Sequence, residues 1–312
     1  MTNSTAAVAR LRKYIPQPAR YAELHGNFTL TDRDLEILTT VHRYRFLEAR
    51  HIRALTTGSD QGITRRLQGL FHNKYLGRFV PPQRMRIDLD PGPPVIAYGL
   101  DAAGFRALRE TGLVAHDHGA MPWNKSHTRR GLWFLRHRLL QSDFRCVLEL
   151  AVRGTIGIDL LGWMEGEAAR LKVSVPQKTT RHVGLAPDAR FTVRFADGDR
   201  SVFLEIDRGT EEHSRLVRKY QAYWWYVQSE EHRRSGGGPP RTTVLFVTTG
   251  EQRMENMIQS LRAMPKPNRS SQGGKGLFWF GCHHWYSLDQ PDRILNASWR
   301  TVNATAQRRL AG

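Results

Sequence analysis

Apolar residues recur every three or four positions in three short stretches near the start of the chain, which predicts three amphipathic helices. Thr31 followed by Asp34 has the spacing of a capping box, so the first helix is predicted to begin there. The second helix is predicted to begin at Phe46 or Leu47. The third is predicted over Gln61–Lys74, and its apolar side consists of Ile63, Leu67, Leu70 and Phe71.

Two short strands and a fourth helix follow these three helices. The strands are predicted at Arg78–Val80 and Val95–Leu100 around a polar, proline-containing tip, and Asp101 is predicted to cap the helix Ala102–Glu110. Three helices and two strands in this order are typical of a winged helix-turn-helix domain. The alternative is a small helical packing module with a solvated arginine face. The DNA-binding residues predicted on the third helix and the wing are Gln61, Thr64, Arg65, Arg66, Gln68, Lys74, Arg84 and Arg86.

The remaining pattern predicts a second domain that mixes helices and strands. Ser126–Ala151 is a long amphipathic helix whose other side is rich in arginine, so Arg129 and Arg130 are expected to hold DNA backbone. Strands, then a helix, a strand, a helix and a strand follow, which predicts an α/β or α+β core with a mixed sheet. The predicted boundaries are a flexible basic arm at 1–26, the first domain at 27–115, a linker at 116–125, the second domain at 126–290 and a tail at 291–312.

The charge of the chain points to a polyanionic partner. Lysine and arginine together number 47 against 29 acidic residues, a net charge of +18 that is spread along the chain rather than held in one tail. Inside cells the usual polyanion is nucleic acid, so double-stranded DNA is the predicted partner. No apolar run reaches the roughly 20 residues of a membrane span, and the N-terminus lacks the apolar stretch of a secretory signal. Two cysteines cannot build a disulfide framework, so a cytoplasmic protein is expected.

Three acidic residues are the strongest candidates for chemistry. Glu205 and Asp207 are two residues apart on a predicted strand, so their side chains share a face, and a hairpin with the preceding strand would bring Asp188 near them. Such a cluster is unfavourable without a cation, and Mg²⁺ or Mn²⁺ prefers carboxylate oxygens. The alternative is that these acids form ordinary ion pairs with Arg190, Arg194 or Arg208.

Pro187-Asp188 and Glu205 resemble the metal-binding motif of the PD-(D/E)XK nuclease superfamily. Asp207 stands where that motif has lysine, and Lys219 on the next helix is a candidate for a migrated lysine. The resemblance implies a restriction-endonuclease-like domain. Its implied catalytic residues are Asp188, Glu205, Asp207 and Lys219, and the implied metal ligands are Asp188, Glu205 and Asp207.

Taken whole, the chain is similar to the replication-relaxation family of bacterial plasmids and mobile elements. The residues that carry this resemblance are the N-terminal helices, Trp163 to Glu167, Pro187-Asp188, and the stretch Phe203 to Glu211 followed by Lys219 and Tyr223. It implies a DNA-binding protein in replication or transfer, with a metal-dependent endonuclease domain of degenerate motif. The alternative is a non-catalytic regulator whose second domain serves dimerisation or the docking of replication or transfer proteins.

Overall fold

The computed structural model of the chain describes residues 12–13, 28–80, 96–114, 125–175, 181–209, 211–229, 241–264, 274–302 and 307–311. The chain divides into two compact units, Met1–Asp143 and Phe144–Gly312. The mixed α/β class predicted from the sequence is confirmed. Within the described residues, no helix is both long and apolar enough to cross a membrane.

The first unit is built on a four-stranded antiparallel sheet with helices packed around it. Its elements are β1 (Arg12–Lys13), α1 (Asp32–Tyr44), β2 (Phe46–Glu48), α2 (Ala49–Leu55), α3 (Asp60–His72), β3 (Leu76–Val80), β4 (Ala97–Leu100), α4 (Ala102–Glu110) and the first part of α5 (Lys125–Arg153). The strand order is β1-β3-β4-β2. The core includes Phe46, Phe79, Ala97 and Leu135, all of which are buried.

Local sequence explains the helices of this unit better than its strands. Thr31 and Asp34 form the predicted capping box at the start of α1, and Ser59 accepts a hydrogen bond from the Gly62 amide at the start of α3. Phe46, however, begins a strand rather than a helix, because Phe46 to Glu48 pair with Gly99 to Ala97 far along the chain. Within the predicted basic arm, Arg12 and Lys13 pair with β3.

The second unit contains a seven-stranded mixed sheet. After the rest of α5 it continues with β5 (Asp159–Glu165), a 3-10 turn (Gly166–Ala169), β6 (Leu171–Val175), β7 (Arg181–Leu185), β8 (Ala189–Phe195), β9 (Gly198–Ile206), α6 (His213–Gln228), β10 (Arg241–Thr248), α7 (Glu251–Arg262), α8 (Gly274–Leu277), β11 (Phe278–Cys282), a second 3-10 turn (His283–Trp285), α9 (Arg293–Asn296), β12 (Trp299–Thr301) and β13 (Gln307–Arg308). The strand order is β13-β12-β11-β10-β9-β8-β5, and among the described strands β6 and β7 form a separate pair.

The centre of this sheet is parallel and its flanks are antiparallel. β9, β10 and β11 run parallel, while β8 forms the predicted antiparallel hairpin with β9. Helices α6 and α7 pack on one face, where Phe203, Phe246 and Phe280 join a large aromatic core. The carboxyl ends of β9 and β10 therefore lie together beside the helices that follow them.

The C-terminal residues belong to this sheet, whereas the sequence analysis placed a tail at 291–312. β12 pairs with β11, and the Trp299 side chain is fully buried against Gly281. A glycine is required at 281 because a Cβ there would lie 2.2 Å from Trp299 Cζ3. The division of the chain between Asp143 and Phe144 also lies beyond the linker predicted at 116–125.

Candidate functional site

Helix α3 separates its apolar and polar residues onto opposite sides. Ile63, Leu67 and Leu70 are buried, and Gln61, Arg65 and Gln68 are exposed. The positions 61, 65 and 68 follow the spacing of one helical face, so these three side chains form a continuous polar line.

An open groove runs along this face. Its lining residues are Arg53, Asp60, Gln61, Thr64, Arg65 and Gln68. Thr64 lies within it, but the Thr64 hydroxyl donates to the Asp60 carbonyl at 2.7 Å and accepts from Arg53 Nη2 at 3.0 Å. Arg53 was not predicted as part of this surface. Its position depends on how α2 packs on α3, which the sequence of α2 does not reveal.

Arg66 differs from its neighbour Arg65. The Arg66 guanidinium hydrogen-bonds both carboxylate oxygens of Asp34, with Nε at 2.7 Å from Oδ1, and lies 4.6 Å from the centre of the Phe28 ring. Asp34 is fully buried. Arg66 therefore ties α3 to the start of α1 instead of lying on the polar line.

The other predicted DNA contacts are described in part. Lys74 is exposed just beyond the end of α3, in the left-handed backbone region with a φ of 63°. Arg84 and Arg86 lie outside the described residues. Arg129 and Arg130 fall in the first part of α5.

In the second unit, Glu205 sits near the end of β9 in a buried ion pair. Lys219 Nζ on α6 lies 2.8 Å from Glu205 Oε2, and the Tyr223 hydroxyl donates to Oε1 at 2.6 Å. The Glu205 side chain is 3% exposed. Burial raises the pKa of Glu205 to about 7, against the opposing charge of Lys219. Burial disfavours the charge of Lys219, but the carboxylates of Glu205 and Glu211 outweigh this and raise the pKa of Lys219.

Asp188 lies next to Glu205 through the β8–β9 hairpin. The Asp188 amide donates to the Leu204 carbonyl at 3.0 Å, and Asp188 Oδ2 accepts from the Ile206 amide at 2.7 Å. The negative charge of Asp188 also contributes to the raised pKa of Glu205. The hairpin therefore brings Asp188 beside Glu205, and α6 adds Lys219 to them.

Asp207, the third predicted acid, has a different set of partners. Arg253 Nε on α7 donates to Asp207 Oδ2 at 2.9 Å, and the Thr248 hydroxyl and the Gly209 amide donate to the same oxygen. Burial favours the neutral acid, but the hydrogen bonds from Arg253 and Thr248 outweigh it and lower the pKa of Asp207. Asp207 is therefore an ionised acid with its own counter-ion.

Glu211 links these two groups, and the sequence analysis did not single it out for a role. Its Oε2 accepts from Lys219 Nζ at 3.1 Å, while its backbone carbonyl accepts from Arg253 Nη2 at 2.7 Å. Its position two residues before α6 and eight residues before Lys219 was the available signal. In the part of the chain that the structure describes, no group of three or more His, Cys, Asp or Glu is placed to hold a metal ion.

Other sequence candidates are engaged elsewhere. Glu149 on α5 pairs with Arg145 at 2.9 Å, and Arg194 pairs with Asp199 across the hairpin. The aromatic run of α6 contributes Tyr220, Tyr223 and Tyr226 to the buried core.

Comparison with known proteins adds one match. The family model described as replication-relaxation matches residues 38–242, about two thirds of the chain. The chain belongs to the replication-relaxation family. Membership suggests a role in the replication or transfer of a plasmid or another mobile element. No curated protein and no solved structure matches this replication-relaxation protein.

Proposed function

We propose that this replication-relaxation protein binds double-stranded DNA in the bacterial cytoplasm and acts there in the replication or transfer of a mobile element. The observation that carries the proposal is the polar line of α3, where Gln61, Arg65 and Gln68 are exposed opposite a fully buried apolar side. A helix fits the major groove of B-DNA, and arginine and glutamine are the side chains that pair with guanine and adenine edges.

The surroundings of α3 support its role as a recognition helix. α2 and α3 are separated by Thr56 to Ser59, a connection of the length found in helix-turn-helix motifs. Two paired strands, β3 and β4, follow α3 in the order of a winged helix-turn-helix domain, and the predicted wing between them lies outside the described residues. The net charge of +18 supports contacts to DNA phosphates.

The test is selection of binding sites by the full chain from a random pool of duplexes, followed by a salt series on the selected site. We expect one sequence to be enriched. With about six phosphate contacts, affinity should fall about a thousandfold between about 50 and 200 mM salt. Failure to bind any duplex at the lower salt concentration would overturn the proposal.

A second candidate function is metal-dependent DNA cleavage in the second unit. The observation that favours it is the distance of 2.8 Å between Lys219 and Glu205, because the PD-(D/E)XK motif needs a lysine beside its acids and position 207 does not supply one. Asp188 and Glu205 offer the carboxylate oxygens that fit Mg²⁺ or Mn²⁺. Asp207 is left out of this proposed ligand set because Arg253 neutralises it.

Each side chain has a definable part in this second proposal. Asp188 and Glu205 would hold the cation, which when bound activates water and neutralises phosphate charge. Lys219 would move from the carboxylates to the scissile phosphate, and Tyr223 would keep Glu205 oriented through its hydrogen bond.

The experiment is incubation of the full chain with supercoiled and linear DNA in Mg²⁺ or Mn²⁺. The variants are Glu205→Gln and Lys219→Met, and the matched control is Glu167→Gln, whose side chain is 83% exposed. Cutting by the native protein and the control, but by neither site variant, supports the enzyme. DNA binding without cutting in either metal favours the alternative, a non-catalytic regulator.

A further inference from the structure

A two-stranded hairpin in the second unit belongs to neither the polar line of α3 nor the acidic site. β6 and β7 pair antiparallel from Leu171↔Leu185 to Val175↔Arg181, and neither strand joins the seven-stranded sheet. The hairpin leads directly through Ala186-Pro187 into Asp188. The sequence analysis missed both strands.

One face of the hairpin is anchored in the core. Val173 and Leu185 are buried in the same cluster as Leu216 and Tyr220 of α6, and Leu171 packs against it. Because side chains alternate along a strand, this anchoring fixes which residues point away from the core.

The outward face is polar and basic. Lys172, His182 and Gly184 are exposed, and the Ser174 hydroxyl lies 3.3 Å from His182 Nδ1 across the pair. Lys172 has no ion-pair partner among the described residues. Beyond this face, the sequence from 170 to 187 adds Arg170, which pairs with Glu167, and Lys178 and Arg181, and it contains no acidic residue.

We propose that this hairpin is a second DNA-contacting surface, which holds the phosphate backbone close to Asp188. This inference rests on the proposed DNA binding. A basic ribbon with an anchored apolar face and no acidic residue suits a polyanion, and a two-stranded ribbon has the dimensions to lie along a DNA groove. Lys172 provides a point charge suited to phosphate, and the strand pairing places it directly opposite Gly184.

Gly184 allows a test in which only charge differs. A Cβ at this position meets nothing within 4 Å, so glutamate and glutamine both fit. Gly184→Glu places a carboxylate opposite Lys172, whereas Gly184→Gln has the same size without the charge. We expect Gly184→Glu to bind duplex several-fold more weakly than Gly184→Gln at low salt, because the two full-chain variants differ only in the added negative charge.

The salt dependence provides an independent readout. Lys172→Gln should reduce the slope of log K against log salt by about 0.9, the value for one phosphate contact. The matched control is Arg293→Gln, which removes an exposed charge from α9 and should leave the slope unchanged. Thermal melting of each variant checks that the fold is retained.

The outcomes separate this inference from the function on which it rests. A native protein that binds duplex DNA, with Gly184→Glu and Lys172→Gln both equal to their controls, would overturn the hairpin contact and leave the DNA-binding proposal standing. A native protein that binds no DNA would overturn the proposed function itself, and the hairpin contact with it.

Discussion

Lys219 Nζ lies 2.8 Å from Glu205 Oε2, and the carboxylate of that pair is almost completely buried at the end of a central strand. The desolvation of Glu205 is thus compensated only in part by a cation on α6 and by the hydroxyl of Tyr223. A buried ion pair of this kind contributes little net stability, because desolvation opposes the Coulomb attraction.

The raised pKa of Glu205 predicts that the fold becomes less stable as the pH rises. Its pKa is about 7 in the folded protein against an ordinary value of 4.5, so its contribution to stability is complete below pH 4.5 and is lost as the pH rises through 7. Glu205→Gln removes this dependence. Between about pH 5 and pH 8, the free energy of unfolding of Glu205→Gln should therefore rise by roughly 1–3 kcal/mol relative to that of the native protein, measured by denaturant unfolding. The exposed variant Glu167→Gln should show no such shift, and a constant difference for Glu205→Gln would contradict the assignment.

The Asp207–Arg253 pair predicts the opposite pH dependence. The pKa of Asp207 lies below its ordinary value of 3.8, so the pair stabilises the fold above that value and loses its effect as the pH falls further. Arg253→Met leaves a buried carboxylate without its cation and should lower the free energy of unfolding at pH 7 by about 2–4 kcal/mol. The loss should shrink in acid, measured by denaturant unfolding at pH 7 and near pH 3. Equal losses at both values would show that Asp207 does not depend on this charge.

The different surroundings of Arg65 and Arg66 predict that Arg66 contributes to stability and that Arg65 does not. Arg66→Ala removes the partner of the buried Asp34 and should destabilise the first unit by about 2–3 kcal/mol, while the folded variant still binds DNA. Arg65→Ala should change stability by less than about 0.5 kcal/mol, because its side chain is exposed. Thermal unfolding of the two variants checks this. A larger loss for Arg65→Ala would contradict the assigned orientations.

Gly281→Ala tests the place of the C-terminal strand in the sheet. The added Cβ would collide with the Trp299 ring, so we expect a loss of about 1–3 kcal/mol. Gly276→Ala is the matched control, since a Cβ there meets nothing within 4 Å. Thermal unfolding compares the two. Unchanged stability of Gly281→Ala would show that β12 does not pack as described.

What could be predicted from the sequence was what depends on neighbours along the chain. The capping box of Thr31 and Asp34, the buried side of α3 and the position of Glu205 on a strand all follow from local spacing. Lys219 was singled out through the resemblance to the nuclease motif, as a candidate for the migrated lysine.

What could not be predicted depends on distant partners. Asp207 is bound by Arg253, 46 residues away, so the two-residue spacing to Glu205 could not reveal its role. Arg66 sits at the edge of the apolar side of α3, where only the position of Asp34 decides whether it points outward. The strand at Phe46 likewise forms only because β4 lies beside it.

The central claim is that α3 reads DNA sequence, and Arg65 tests it most directly. The measurement is the dissociation constant of Arg65→Ala for the selected duplex and for a scrambled duplex at one salt concentration. Arg106→Ala, which removes an exposed arginine from α4, is the control. We predict a loss of about 1–3 kcal/mol on the selected duplex, little change on the scrambled one and none for the control. Unchanged affinity for both duplexes, or an equal loss on both, would contradict sequence reading by α3.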